Sequence, residues 1–157
     1  MKLIKILLII TISTLLIGCS NNKTYTSNGI SITMMKGLFK KNHDIADVYY
    51  ENDEMFVIAL KETYEELKKY DINYDTSIED YIKEVFINQG VTYELKKVNN
   101  LYYFTYQYEI NNNTYYYVST IHKSNDAFWV CNFACPLTLK DKYDNLFIEW
   151  GQSIKFN

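Results

Sequence analysis

The 157-residue chain contains no arginine: all 16 of its basic residues are lysine. Without guanidinium forks, bidentate capture of phosphate or carboxylate is closed to it, which argues against nucleotide and phosphoryl chemistry. The formal net charge is −3, so no basic footprint exists for nucleic acid. Proline occurs once and glycine five times, leaving little room for long linkers. Only three cysteines are present. No apolar run is long enough to span a bilayer as a mature helix, which takes roughly 20 residues. What is abundant is tyrosine, at 16 residues, alongside much Asn, Lys and Ile. With arginine missing, that balance is what an AT-rich coding sequence produces, so tyrosine content alone does not signal function.

The one apolar run that stands out, Ile6 to Ile17, follows Lys2 and Lys5 and ends at Leu16-Ile17-Gly18-Cys19 before the chain turns polar in "SNN". A basic start, a short apolar core and a small residue directly before cysteine mark a processing segment. This pattern resembles the lipobox of bacterial lipoproteins. The resemblance implies that Cys19 carries a covalent diacylglyceryl group, with cleavage before it. Residues 1–18 are then a signal peptide, and removing Lys2 and Lys5 makes the remainder more acidic. Each buried methylene contributes about 0.8 kcal/mol, so two or three chains on one sulfur give lasting attachment. The expected location is the extracytoplasmic face of the cell membrane. The membrane is then a partner only through the anchor, and no cofactor beyond that lipid is implied.

Residues 19–28 read as the lipidated cysteine and a flexible tether, spanning about 15 to 18 Å root-mean-square over nine residues. Residues 29–157 fit one domain, taken as a monomer. Ile30, Ile32 and Met34 alternate with polar or half-apolar neighbours and predict a strand. Ala46 to Tyr50 and Met55 to Leu60 flank "ENDE" and predict a hairpin. Tyr64 to Tyr70 is a short helix candidate. Thr76-Ser77-Ile78-Glu79 has capping-box form, and Ile78, Ile82, Val85, Phe86 and Gln89 fall at helical spacing up to Gly90. Period two then returns over Val91–Val98, Tyr102–Ile110, Thr114–Ile121 and Asp126–Cys135, broken by "NN", "NNN" and "KSN", so four sequential strands are expected. After Pro136, the stripe Leu139, Tyr143, Leu146, Phe147, Trp150, Ile154 traces one face of a closing helix across the sheet.

The sum is an α+β fold: an antiparallel sheet of about seven strands with helices packed on it. "GISITMMKGLFKK", "SIEDYIKEVF", the Tyr-rich hairpins and "LFIEWGQSIKF" make residues 29–157 similar to the PsbP-like fold, found in a photosystem II extrinsic subunit and in small bacterial lipoproteins. The resemblance implies a binding or assembly module rather than an enzyme, and brings no catalytic motif with it.

Three residue sets are candidate sites. With "NNN" as the loop, Phe104, Tyr106 and Tyr108 share a core face with Tyr116 and Val118, while Tyr103, Tyr115 and Tyr117 lie on the other face as an aromatic platform for a glycan or a protein partner. Cys131 and Cys135 could pair in an exported protein, but a straight strand holds Cα atoms four residues apart at about 13 Å. A disulfide needs less than about 7 Å, so buried thiols are the better expectation. Asp71, Asn73 and Asp75 begin like a calcium loop that lacks its glycine and its closing glutamate. His43 beside Asp44 and Asp47, with His122 far along the chain, makes no zinc set, so no metal site is expected. No nucleophile, base and orienter fall together, and no catalytic residue is assigned. The leading function is a non-catalytic module binding a protein or envelope component; the alternative is a carrier with an apolar cleft for a lipid or glycan.

Overall fold

The computed structural model describes residues 21–87 and 93–157. The signal segment and Leu16, Ile17, Gly18 and Cys19 therefore lie outside the described residues, as do Gln89 and Gly90.

Among the described residues, ten strands and three α-helices follow in order: β1 Asn22–Ser27, β2 Ile30–Met35, β3 Phe39–Lys40, β4 Val48–Glu51, β5 Phe56–Thr63, α1 Tyr64–Leu67, α2 Ile78–Ile82, β6 Lys96–Val98, β7 Leu101–Ile110, β8 Asn113–Lys123, β9 Ala127–Pro136, α3 Lys140–Gln152 and β10 Lys155–Phe156. Seven strands form one antiparallel sheet in the order β3-β4-β5-β9-β8-β7-β6; β1, β2 and β10 form a second, small one. The main sheet is two meanders joined where β5 pairs with β9, and α1 and α2 occupy the connection between them. The α+β architecture with a seven-stranded antiparallel sheet matches the expectation from the sequence.

Alternation along β9 decides the layers. Ala127, Trp129, Cys131, Phe133 and Cys135 point to one face, called A, where they meet Tyr143, Phe147 and Trp150 of α3 and Ile30, Ile32 and Met34 of β2. Phe133 and Phe147 lie 5.7 Å apart and Tyr143 stacks on Phe147 at 5.3 Å. The stripe read from the sequence as a closing helix thus packs as expected. Phe128 and Val130 point to the other face, B, and meet Leu67, Tyr81 and Ile82 from the connection. Tyr81 is fully buried and stacks on Phe128 at 4.1 Å. Burying a large side chain of this kind contributes roughly 1.5–3 kcal/mol.

The flexible tether is corrected by the structure. From Asn22 onward that segment is β1, paired with β2 from Asn22↔Met35 to Ser27↔Ile30, with Tyr25 and Ser27 buried. The cause is the two-residue turn Asn28-Gly29, whose φ values of 50° and 86° suit a type I′ hairpin. The Tyr25 hydroxyl donates to the Met35 carbonyl at 3.0 Å and accepts from Leu38 N–H, tying the strand to the core. The ordered fold therefore begins before residue 29. Likewise β2 joins the small sheet rather than opening the main one. Of the strand expected over 91–98, residues 91 and 92 lie outside the described residues, and among the rest only Lys96–Val98 is strand.

Candidate functional site

Face A of the main sheet is covered by α3 and the small sheet. Face B is only partly covered, and what stays open there follows from the register of β7 and β8. Ile110 pairs with Asn113 across a two-residue turn in which Asn111 and Asn112 have φ of 50° and 62°. The hairpin is one residue tighter than a three-residue "NNN" loop. Because side chains alternate with period two, a shift of one residue exchanges faces.

The expected tyrosine platform is thereby corrected. Tyr106 lies opposite Tyr117 and Tyr108 opposite Tyr115, so Tyr115 and Tyr117 share face B with Phe104, Tyr106 and Tyr108. Tyr103 lies opposite Thr120, on face A, half-buried against the α3-side core. Tyr103 therefore does not join Tyr115 and Tyr117. Of those two, Tyr117 is buried and Tyr115 half-buried, while Tyr108 is 62% exposed.

The rings of face B run in a connected series. Phe56 meets Tyr117 at 5.9 Å; Tyr117 stacks on Tyr106 at 4.7 Å; Tyr106 meets Tyr93 at 5.3 Å; and Tyr93 stacks on Phe104 at 4.3 Å. Phe104 meets Phe86 at 5.5 Å, edge-on, and Phe86 meets Tyr81 at 6.2 Å. Pairs in these geometries contribute about 0.5–1.5 kcal/mol beyond their burial.

Where the helical connection rises off the sheet, the part of this series from Tyr106 to Tyr81 lines a cleft of about 330 Å³. Leu60 of β5, Val130 and Asn132 of β9, Ser119 of β8, and Phe104 and Tyr106 of β7 form its floor. Tyr81, Val85, Phe86 and Tyr93 form its wall. α2 is capped by Ser77, whose side chain accepts from Asp80 N–H at 3.0 Å, and it loosens after Ile82 into a π-helical turn, Lys83–Ile87. Such turns are frequent at functional sites. Here the turn carries Val85 and Phe86 into the wall.

Polar groups are few. Ser119 donates from its hydroxyl to the Asn132 side-chain oxygen directly opposite it, and the Tyr81 hydroxyl donates to the Glu62 carboxylate, which also lines the cleft. Burial, with the Glu62 carboxylate adding to it, holds the Tyr81 phenol well above the usual tyrosine value. Burial also raises Tyr106, and pushes Tyr117 up to about 12 with help from Tyr106. All three phenols are neutral donors at physiological pH.

The remaining candidates are scattered. Cys131 and Cys135 are free and buried on face A in one strand. Asn73 is part of a polar turn: its N–H donates to Thr76 Oγ1 at 3.0 Å and its side chain accepts from Asp75 N–H at 2.8 Å. His43 packs beside Tyr49 at 5.2 Å, whereas His122 lines a different cavity, near α3. Among the described residues, no three His, Cys, Asp or Glu side chains gather as a metal set.

The sequence matches no family model and none of the curated proteins. Its fold does have solved counterparts. It is similar to cyanobacterial PsbP (CyanoP) from Synechocystis sp. PCC 6803, with a TM-score of 0.57 and 12% identity over 90% of this chain and 95% of that one. It is also similar to a protein from Bacteroides thetaiotaomicron VPI-5482, with a TM-score of 0.55 and 15% identity over 87% of this chain and 49% of that one. The chain has the PsbP-like fold, as "GISITMMKGLFKK" and "SIEDYIKEVF" had led us to expect.

Proposed function

We propose that this is a lipid-anchored extracytoplasmic binding protein, non-catalytic, whose face B cleft holds a small ligand. The observation that carries the reading is the aromatic cleft between the helical connection and the sheet. Its volume, about 330 Å³, falls within the range of small-molecule sites, and an apolar lining with a few polar groups is their usual composition.

The anchor is the lipid on Cys19. Asn21 is already tied to the domain through Lys36 N–H, at 2.9 Å. Two residues reach at most about 7 Å. A lipidated Cys19 would therefore hold the small sheet against the membrane surface, with almost no free tether. Native mass spectrometry of the full chain released gently from membranes tests the binding reading: a retained small molecule is expected, and bare protein in every preparation would contradict it. Membrane release of a Cys19→Ala form tests the anchor separately.

A second reading, binding of a protein or envelope partner, is supported by the open end of the same face. There Tyr49, Phe56, Ile110 and Tyr115, with Glu51 and Glu54, line a smaller hollow of about 260 Å³ beside exposed Tyr108. Cross-linking in intact cells through a photoreactive residue at position 108 would trap such a partner.

A further inference from the structure

We infer that the face B cleft takes a compact organic cation, free in solution, of the ammonium type with small apolar substituents. This deepens the proposed ligand-binding reading and rests on it.

Two features of the cleft's lining suit a cation. Tyr81, Phe86, Tyr93, Phe104 and Tyr106 surround it, and aromatic rings attract cations through the negative potential of their faces. Its one ionisable acid is Glu62. An ionised carboxylate offers about four lone-pair sites. The Tyr81 hydroxyl occupies one of them as a neutral donor and brings no positive charge.

Among the described residues Glu62 makes no ion pair. Lysine is missing from the lining, and the chain has no arginine. Lys61, the neighbour of Glu62 on β5, lies opposite Trp129 and hence on face A. There it pairs with Asp126 at 2.6 Å and sits 5.7 Å from the Trp129 ring. Lys123 lies over Tyr74 and Phe128, and Lys97 over Tyr102 at 4.2 Å. These three ammonium groups thus rest on rings, and no described lysine lines the cleft. Residues 88–92, Asn-Gln-Gly-Val-Thr, carry no charge to supply one.

An anionic occupant would meet Glu62 unscreened. A neutral one would leave a carboxylate desolvated with a single donor, which is costly. An ammonium group satisfies both conditions: it pairs with Glu62 while its alkyl groups rest on the rings. Asn132, whose side-chain oxygen accepts from Ser119, leaves an amide N–H₂ for a hydroxyl elsewhere on the same ligand.

The test is calorimetric titration of the full chain in phosphatidylglycerol nanodiscs, whose headgroups contain no ammonium. The probes are tetramethylammonium, isobutylamine, choline, and 3,3-dimethylbutan-1-ol, which has the shape of choline without its charge. At least one cation should bind, and choline about tenfold more tightly than its neutral counterpart. In Glu62→Gln, whose amide oxygen still accepts from Tyr81, that advantage should fall to about twofold or less. Phe86→Leu, which keeps the wall apolar, should weaken choline about fivefold. Thermal melts of both variants confirm folding. Equal binding of the neutral alcohol, an unchanged preference in Glu62→Gln, or silence from every cation overturns the inference. So does choline-type binding seen only when phosphatidylcholine is built into the disc. A neutral molecule retained in native mass spectrometry would sink the cation while leaving the ligand-binding reading intact.

Discussion

Tyr106 stands directly opposite Tyr117 across the β7–β8 ladder, and the two rings stack at 4.7 Å with 8° between their planes. That contact exists because the hairpin turns in two residues. Asn111 and Asn112 both occupy the left-handed region, which asparagine tolerates better than most residues. Replacing both by alanine should cost about 1–2 kcal/mol, since alanine lacks the short polar side chain that lets asparagine hydrogen-bond locally in this region. Asn112→Gly, the preferred second residue of this turn, should leave stability unchanged or higher. Urea unfolding of the three proteins checks the order.

Gly151 is where α3 comes closest to the sheet. A Cβ there would lie 2.7 Å from Thr120 Cγ2 and 3.2 Å from Leu101 Cδ2. Thr120 is held in place, its hydroxyl bonded to His122 Nε2 at 2.9 Å and to the Cys131 carbonyl at 3.3 Å. Gly151→Ala gains about 1 kcal/mol of helix propensity but overpacks the contact by about 1–3 kcal/mol. A net loss is expected, read as a lower midpoint in thermal melting.

His122 is buried enough that its imidazole is pushed down to about 4, and no charged side chain lines the cavity at its edge. The unfolded chain therefore takes up a proton near pH 6.5, before the folded one does. Stability from this group is complete above pH 6.5 and drains away as the pH falls towards 4. Because the ring keeps one edge on the cavity, the loss by pH 5 should be about 1–2 kcal/mol. His122→Gln should flatten the urea midpoint between pH 7.5 and pH 5 relative to the parent protein.

Burial lifts the Cys131 thiol far above its ordinary value. It pushes Cys135 up to about 11, with the Asp144 carboxylate adding to the rise. Neither forms thiolate near neutral pH, and thiolate is the reactive species. Iodoacetamide at pH 8 should leave both unmodified in the native protein and alkylate both in denaturant without reductant, as intact mass will show.

The long elements were legible because each has one strong period. The α3 stripe of Tyr143, Phe147 and Trp150 and the alternation of β9 are set by large apolar residues at fixed intervals. The short elements were not legible. β3 and β10 are two residues each and owe their pairing to neighbours far along the chain. β1 could have been found: Asn28-Gly29 is the strongest short-range hairpin signal, and Tyr25 and Ser27 alternate with polar residues before it. The polar look of "SNNKTYTSN" hid it. The candidate site was lost to one residue of turn length. "NNN" permits two loop lengths, and the tighter one places Tyr106 beside Tyr117 and sends Tyr103 to the far side of the sheet. Glu62, Ser119 and Asn132 gave no local sign, because only the pairing of β5, β9 and β8 brings them together.

The central claim is that the cleft between the helical connection and face B is a ligand site. Val85→Phe tests it most directly, because it fills the wall of the cleft from a half-buried position. Native mass spectrometry of the full chain and of this variant, prepared identically, should show a bound small molecule on the first and none on the second, with similar melting temperatures. An equal complement of bound mass on both, or none on either, would contradict the account.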